Sequence, residues 1–216
     1  LYELWGFITI CKTLSKLGFQ AEQKELLVQQ NASEQMITPH LQSGTSIVFH
    51  RKTLRAIITY DEEIPLKPES SHCPLYSIGI SKRPDIRLDL YMEQTYIGSL
   101  IFECKYRSLD QIWQLQRHYE IKRQLMDYAY FTKSNKIFHH LPATIRNQIR
   151  PVYQVWALYP TPNHPSQTNV KMIKVDEHIF LFQVSPGNDH QHFITSLQAL
   201  LDQIESEYKG YQLIKD

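Results

Sequence analysis

The segment RPDIRLDLYMEQTYIGSLIFECKYR, residues 83–107, carries the side chains best suited to chemistry. Two acids, Asp85 and Glu103, are separated by seventeen residues, and Lys105 follows Glu103 by two. Strand residues alternate between faces, so Glu103 and Lys105 are expected on one face and Phe102 and Cys104 on the other. Leu100, Ile101 and Phe102 precede them without a polar break, the pattern of a central strand in which a charge must find a partner or a metal. A hairpin with the preceding strand would bring Asp85 close to Glu103. Two carboxylates converging beside one ammonium suit a hard divalent cation, most simply Mg2+, with the lysine near the attacking water. A solvated strand edge or a cross-strand ion pair is the other reading of Glu-x-Lys. Asp89, on the same face as Asp85 and Arg87, is a rival first carboxylate.

The elements that must position these groups can be read from periodicity. Residues 1–18 place Leu4, Phe7, Ile8, Cys11, Leu14 and Leu17 at steps of three and four, which predicts an amphipathic helix ended by Gly18. Residues 30–45 are polar and irregular, a loop. SIVFHRK and LRAIITYDEE read as a strand hairpin, and Pro65 to Pro74 as another loop. Ile86–Tyr91 and Ile97–Tyr106 follow as a second hairpin joined by Met92–Tyr96. Leu109–Phe131 contains neither Pro nor Gly and predicts a long helix with Ile112, Leu115, Tyr119, Met126 and Phe131 on its apolar positions. Residues 152–160 and 179–187 read as strands separated by a loop at 161–169. Residues 190–208 form a closing helix capped by Asn188 or Asp189, with Phe193, Leu197, Leu200, Leu201 and Ile204 at helical spacing. This order implies an α/β fold, a three-layer sandwich around a mixed sheet.

Composition narrows the classes. Hydrophobic residues make up 42% of 216, enough for one substantial core, and a single domain over residues 1–216 is expected. Lys plus Arg (23) nearly balances Asp plus Glu (22), so no global positive field points to a histone-like nucleic-acid binder. Three dispersed cysteines, Cys11, Cys73 and Cys104, disfavour a disulfide framework or a structural zinc site and fit a reducing cytoplasm. No stretch approaches the roughly 20 apolar residues of a membrane span. The chain opens on Leu1 in an already helical pattern, and is expected to be the C-terminal part of a longer protein.

Pro84-Asp85 and Glu103-Cys104-Lys105, in order within this series, resemble the PD-(D/E)XK motif of the restriction-endonuclease-like nuclease superfamily. Tyr2-Glu3-x-Trp5, Lys105-Tyr106-Arg107, Leu158-Tyr159-Pro160 and Ser185-Pro186-Gly187 resemble one branch, the nuclease domains of McrBC-like restriction systems, over about residues 2–205. The resemblance implies an αβββαβ core and an Mg2+-dependent endonuclease, with Mn2+ able to substitute. It implies that Asp85 and Glu103 bind the metal with Glu3 assisting, and that Lys105 orients or deprotonates the attacking water. Gln124 and Tyr128 resemble a Gln-x-x-x-Tyr element near substrate, and Arg107 is a further substrate-positioning candidate. Read without the resemblance, Glu3 is a helix N-terminal carboxylate and Tyr128 a core aromatic.

The implied partners are DNA and an AAA+ nucleotide-driven motor subunit, with a homo-oligomer allowed. Between Arg117 and Arg150, seven basic residues (Arg117, Lys122, Arg123, Lys133, Lys136, Arg146, Arg150) face two acids, Glu120 and Asp127, a local balance of 7 − 2 = +5. That could neutralise phosphates. His139-His140, His190 and His192 lack carboxylate companions and are not expected to hold zinc. A catalytically silent module for DNA binding or assembly with a motor is the alternative function, disfavoured because a scaffold has no need of charges on a buried strand.

Overall fold

A computed structural model describes residues 1–22, 41–68, 73–107, 112–113, 119–160, 171–187 and 190–212. Helix α1 spans Tyr2–Lys16, followed by β1 (Gln20–Ala21), β2 (Ser46–Arg51), β3 (Leu54–Tyr60), β4 (Tyr76–Ser77), β5 (Ile86–Met92) and β6 (Thr95–Cys104). Then come α2 (Tyr119–Tyr130), β7 (Thr132–Lys133), α3 (Ala143–Arg146), β8 (Val152–Tyr159), β9 (Met172–Lys174), β10 (Ile179–Gln183) and α4 (Gln191–Gln212).

Eight strands form one mixed sheet in the order β1-β2-β3-β5-β6-β8-β10-β9. The first five pair antiparallel, β6, β8 and β10 run parallel, and β9 closes the far edge antiparallel. β6 therefore lies inside the sheet, and all but its first residue are buried. Beyond the bulge at Gly98, its even-numbered side chains feed an apolar layer beneath α1 and α4. Phe102 packs edge-on to Trp156 at 5.5 Å, and Phe193 of α4 stands 5.3 Å from Trp156 and 5.5 Å from Phe182. The odd-numbered face of β6 meets α2. This is the expected three-layer α/β sandwich around a mixed sheet.

Two glycines let the layers approach. A Cβ on Gly6 would lie 2.6 Å from Cys104 Sγ, so α1 settles directly against the end of β6. Gly98 takes φ +140° at a bulge in the β5–β6 pairing, where a Cβ would fall 2.4 Å from the Tyr153 ring.

Several expectations shift. In α1 the buried face uses Ile10 where the spacing suggested Ile8. The β5–β6 hairpin turns on Glu93 and Gln94 alone, Glu93 taking φ +55°. The described part of the long helix is Tyr119–Tyr130, burying Leu125, Tyr128 and Ala129. Tyr119 and Phe131, expected on its apolar face, are instead exposed. Phe131 falls just past the helix end, where the Lys82 ammonium donates to the carbonyls of Asp127 (2.7 Å) and Phe131 (2.9 Å). β6 ends at Cys104, so Tyr106 is outside it and 79% exposed. Leu115, Arg117, the loop at 161–169, the Asn188 or Asp189 cap and most of the loop at 30–45 lie outside the described residues.

Candidate active site

Register places the motif. Ile86 pairs with Phe102 across the β5–β6 ladder, so Asp85 enters the sheet opposite Glu103, on the odd-numbered face. Its Oδ2 accepts the Cys104 backbone N–H at 2.7 Å. The Lys105 N–H extends the parallel ladder, donating to the Leu158 carbonyl at 2.8 Å. Its side chain folds back so that Nζ donates to Glu103 Oε2 at 2.7 Å.

Glu103 is fully buried and held by three donors. Besides Lys105, Gln124 Nε2 of α2 reaches Oε1 at 3.2 Å, and the Tyr128 hydroxyl bonds the same carboxylate. Gln124 also donates to the Tyr128 oxygen at 3.1 Å. Gln124 and Tyr128 are four apart on one helical face, as their spacing requires. Tyr128 is a buried core aromatic, as one of its two sequence readings has it, and its hydroxyl also contacts Glu103.

The electrostatics follow from burial. Desolvation, then the charge of Glu103, push the Asp85 carboxyl up to about 8, although the Cys104 N–H and Lys105 pull the other way. Burial alone would discharge Lys105. The carboxylates of Glu103 and Asp85 outweigh it and hold its ammonium above the ordinary lysine value. Cys104 sits between the acids in sequence but points to the α1 face, where desolvation and both carboxylates raise its thiol far above a reactive range. It packs and does not attack.

Glu3 lies at the rim. Its side chain is exposed, and desolvation together with the Asp85 charge raises its carboxyl. Among the described residues no three His, Cys, Asp or Glu side chains converge closely enough to hold a metal ion, so Glu3 stands apart from the Asp85–Glu103 pair. Arg107 is exposed at the exit of the motif, its N–H donating to the Lys105 carbonyl at 2.7 Å.

Asp89 belongs to a different cluster. Arg87 Nε grips both its oxygens at 3.1 and 2.9 Å, and Ser99 donates to it. Arg87 reaches Glu62 at 2.6 Å with NH2. Sequence parity flagged Arg87 and Asp89 together, but nothing local pointed to Glu62 or to Lys82, which arrive from loops. The basic segment is also partly engaged. Lys122 lies over Trp113 at 4.9 Å, Arg150 over Tyr130 at 4.7 Å, and Arg123 pairs with Asp127 at 3.8 Å. The His139 and His140 rings meet edge-on, with centroids 5.9 Å apart at 84°.

A mixed-sheet sandwich that presents Asp, Glu and Lys at the mouth of its central strands defines the restriction-endonuclease-like class of fold. The chain belongs to the PD-(D/E)XK nuclease superfamily, whose family model matches residues 1–164. No curated protein and no solved structure matches it.

Proposed function

We propose that this chain is a Mg2+-dependent endonuclease domain that hydrolyses DNA phosphodiester bonds in a restriction or phage-defence system. The observation that carries the reading is the pairing of a buried, three-donor Glu103 with an Asp85 whose carboxyl is pushed up to about 8. A site that strains one of its two acids toward the protonated form has room for a positive charge. Mg2+ keeps several waters and commonly takes only one or two protein carboxylates plus phosphate oxygens, so Asp85 and Glu103 suffice as the donor set. Glu3 then acts from the rim on water or on a second ion. When bound, the cation supplies Lewis-acid polarisation of the phosphoryl oxygens and a water of lowered pKa.

The chain's own groups set the rest. With both carboxylates free of metal, the Lys105 ammonium is held above the ordinary lysine value, which favours orienting the attacking water over deprotonating it among the two roles implied for Lys105. Its N–H groups also offset the negative charge that builds on the phosphoryl oxygens as water adds and the P–O bond to the leaving strand breaks. Gln124 and Tyr128 act through Glu103, fixing its rotamer. Arg107, exposed just beyond the motif, is placed to meet a phosphate.

The defence role, and an AAA+ motor that delivers DNA, rest on the likeness of the motifs to McrBC-like nuclease domains. Three buried, dispersed cysteines fit a reducing cytoplasm, and no helix among the described residues is long and apolar enough to cross a membrane. The test is a plasmid nicking assay with the purified chain, with and without Mg2+, alongside Asp85→Ala and Lys105→Ala. Mg2+-dependent cutting lost in both variants is expected. Cutting at the parental rate by both variants overturns the assignment, and no cutting by the parent with any divalent ion favours the silent-module alternative.

A further inference from the structure

An aromatic series leads away from the motif along α1. Tyr106, directly after Lys105, is 79% exposed and meets Tyr2 edge-on at 5.8 Å. Tyr2 stacks on Trp5 at 5.4 Å and 16°, and Trp5 meets His190 at 5.6 Å. The Tyr2 hydroxyl donates to the Val184 carbonyl at 2.7 Å, which fixes the series to the end of the β10 strand. Trp5 then forms one wall of an open groove of about 180 Å³ between α1 and the Pro186–Gly187 turn, with Lys12 and Lys16 also lining it. The two lysines are four apart, on one helical face, and are exposed. Neither forms an ion pair among the described residues.

Resting on the nuclease reading, we propose that this groove and the aromatic series bind a single strand of DNA beside the cleavage site. One unpaired base inserts against Trp5, and flanking phosphates lie on Lys12 and Lys16. A cavity of about 150 Å³ holds one benzene-sized ring, so a groove of about 180 Å³ has room for one base against Trp5. Aromatic faces with a cationic track are what sequence-tolerant single-strand binding requires, because every base has a π-face and every nucleotide a phosphate. Two cations cannot hold a long duplex, but they suffice to seat an end already unpaired at the scissile bond. The series begins one residue from Lys105, so the strand it holds is continuous with the strand in the site.

The test is fluorescence anisotropy of labelled dT12 and of a blunt 20-bp duplex with the full chain in EDTA, so that binding is read without cleavage. Lys12→Gln/Lys16→Gln changes only exposed side chains. It is expected to weaken dT12 binding at least fivefold and to lower the slope of log K against log salt by about 1.4, at about 0.7 per phosphate contact on a single strand. Trp5→Leu is expected to weaken dT12 at least fivefold and to remove the quenching of tryptophan emission that dT12 produces. Unchanged dT12 affinity in both variants overturns the proposal, as does duplex binding that is equally strong and equally sensitive to both. Plasmid cutting by the parent is scored separately, so a working nuclease with an idle groove is distinguished from a bound strand without catalysis.

Discussion

Two acid–base clusters occupy one face of the same two strands, each built from two carboxylates and one cation, and they differ in how the charges are shared. In the Arg87 cluster a single guanidinium serves both acids, Nε on Asp89 and NH2 on Glu62. Ser99, itself bonded to Tyr96, completes Asp89. In the Lys105 cluster the ammonium pairs with Glu103, and Asp85 is held by the Cys104 backbone N–H and by a contact with the Glu103 carboxyl. The planar fork of Arg87 spreads its donors over two separate acids, whereas the Lys105 ammonium is turned to Glu103. Equal stoichiometry thus gives one network in which the cation is shared by both acids, with Arg87 Nη1 left without a hydrogen-bond partner, and one site with an unmet demand for positive charge.

Breaking the Arg87 network should have the largest effect. Arg87→Met would leave Asp89 buried and unpaired, and the loss of one partner of a buried pair costs about 3–5 kcal/mol. Chemical denaturation should read that loss; a change below about 1 kcal/mol would mean that the cluster is not closed as the geometry indicates.

Lys105→Ala is expected to behave in the opposite sense. Glu103 keeps Gln124 and Tyr128, and it can share a proton with Asp85, so the fold should lose little. Cleavage should fall by about 10²–10³-fold, the usual effect of removing one preorganised donor to developing negative charge. A variant that unfolds as readily as Arg87→Met would place Lys105 among the structural residues.

The contrast between the clusters also explains how far the sequence could be read. Alternation and the apolar run 97–102 made β5, β6 and the shared face of Glu103 and Lys105 legible, because both depend only on local periodicity. The same parity left Asp85 and Asp89 as rivals. What separates them is Glu62, Ser99 and the strand register, all tertiary. β1 and β9 exist because a longer neighbour offers hydrogen bonds, and β4 and β7 because two distant segments meet, so two- or three-residue patterns carried no signal. Phe131 and Tyr119 looked like core because they are large, yet Tyr119 opens helix α2 exposed and Phe131 lies just past its end, beside the Lys82 ammonium.

Asp85 offers a finer probe through pH. For an acid whose folded pKa is raised from 3.8 to about 8, the native state holds a proton across that interval that the unfolded state has released. Native stability therefore falls as pH rises from about 4 to 8. Asp85→Asn has no such proton to lose, so in EDTA it should gain on the parent between pH 5 and pH 8 by at least about 1 kcal/mol, or about 2–4 °C in Tm for a domain of this size. Parallel curves for the two proteins would show that Asp85 is not under the strain described. Millimolar Mg2+ at pH 8 should narrow the gap by binding the ionised parent.

Tyr128→Phe separates holding Glu103 from touching substrate, and its effect should be the smallest. The ring keeps its place in the core, and only the hydroxyl that bonds Glu103 is removed. Loss of one such bond costs about 0.5–1.5 kcal/mol, with the carboxylate still bound by Lys105 and Gln124. Thermal melts should show a drop of a few degrees. Cleavage should fall less than about tenfold and through kcat, with KM for DNA unchanged, because the hydroxyl acts only by narrowing the positions Glu103 can adopt. Gln124→Leu should give a similar pattern, since it removes another donor to the same carboxylate. If Tyr128→Phe raises KM or reduces cleavage as far as Lys105→Ala, the hydroxyl meets the DNA itself, and the boundary between the supporting helix α2 and the open site must be drawn one layer further in.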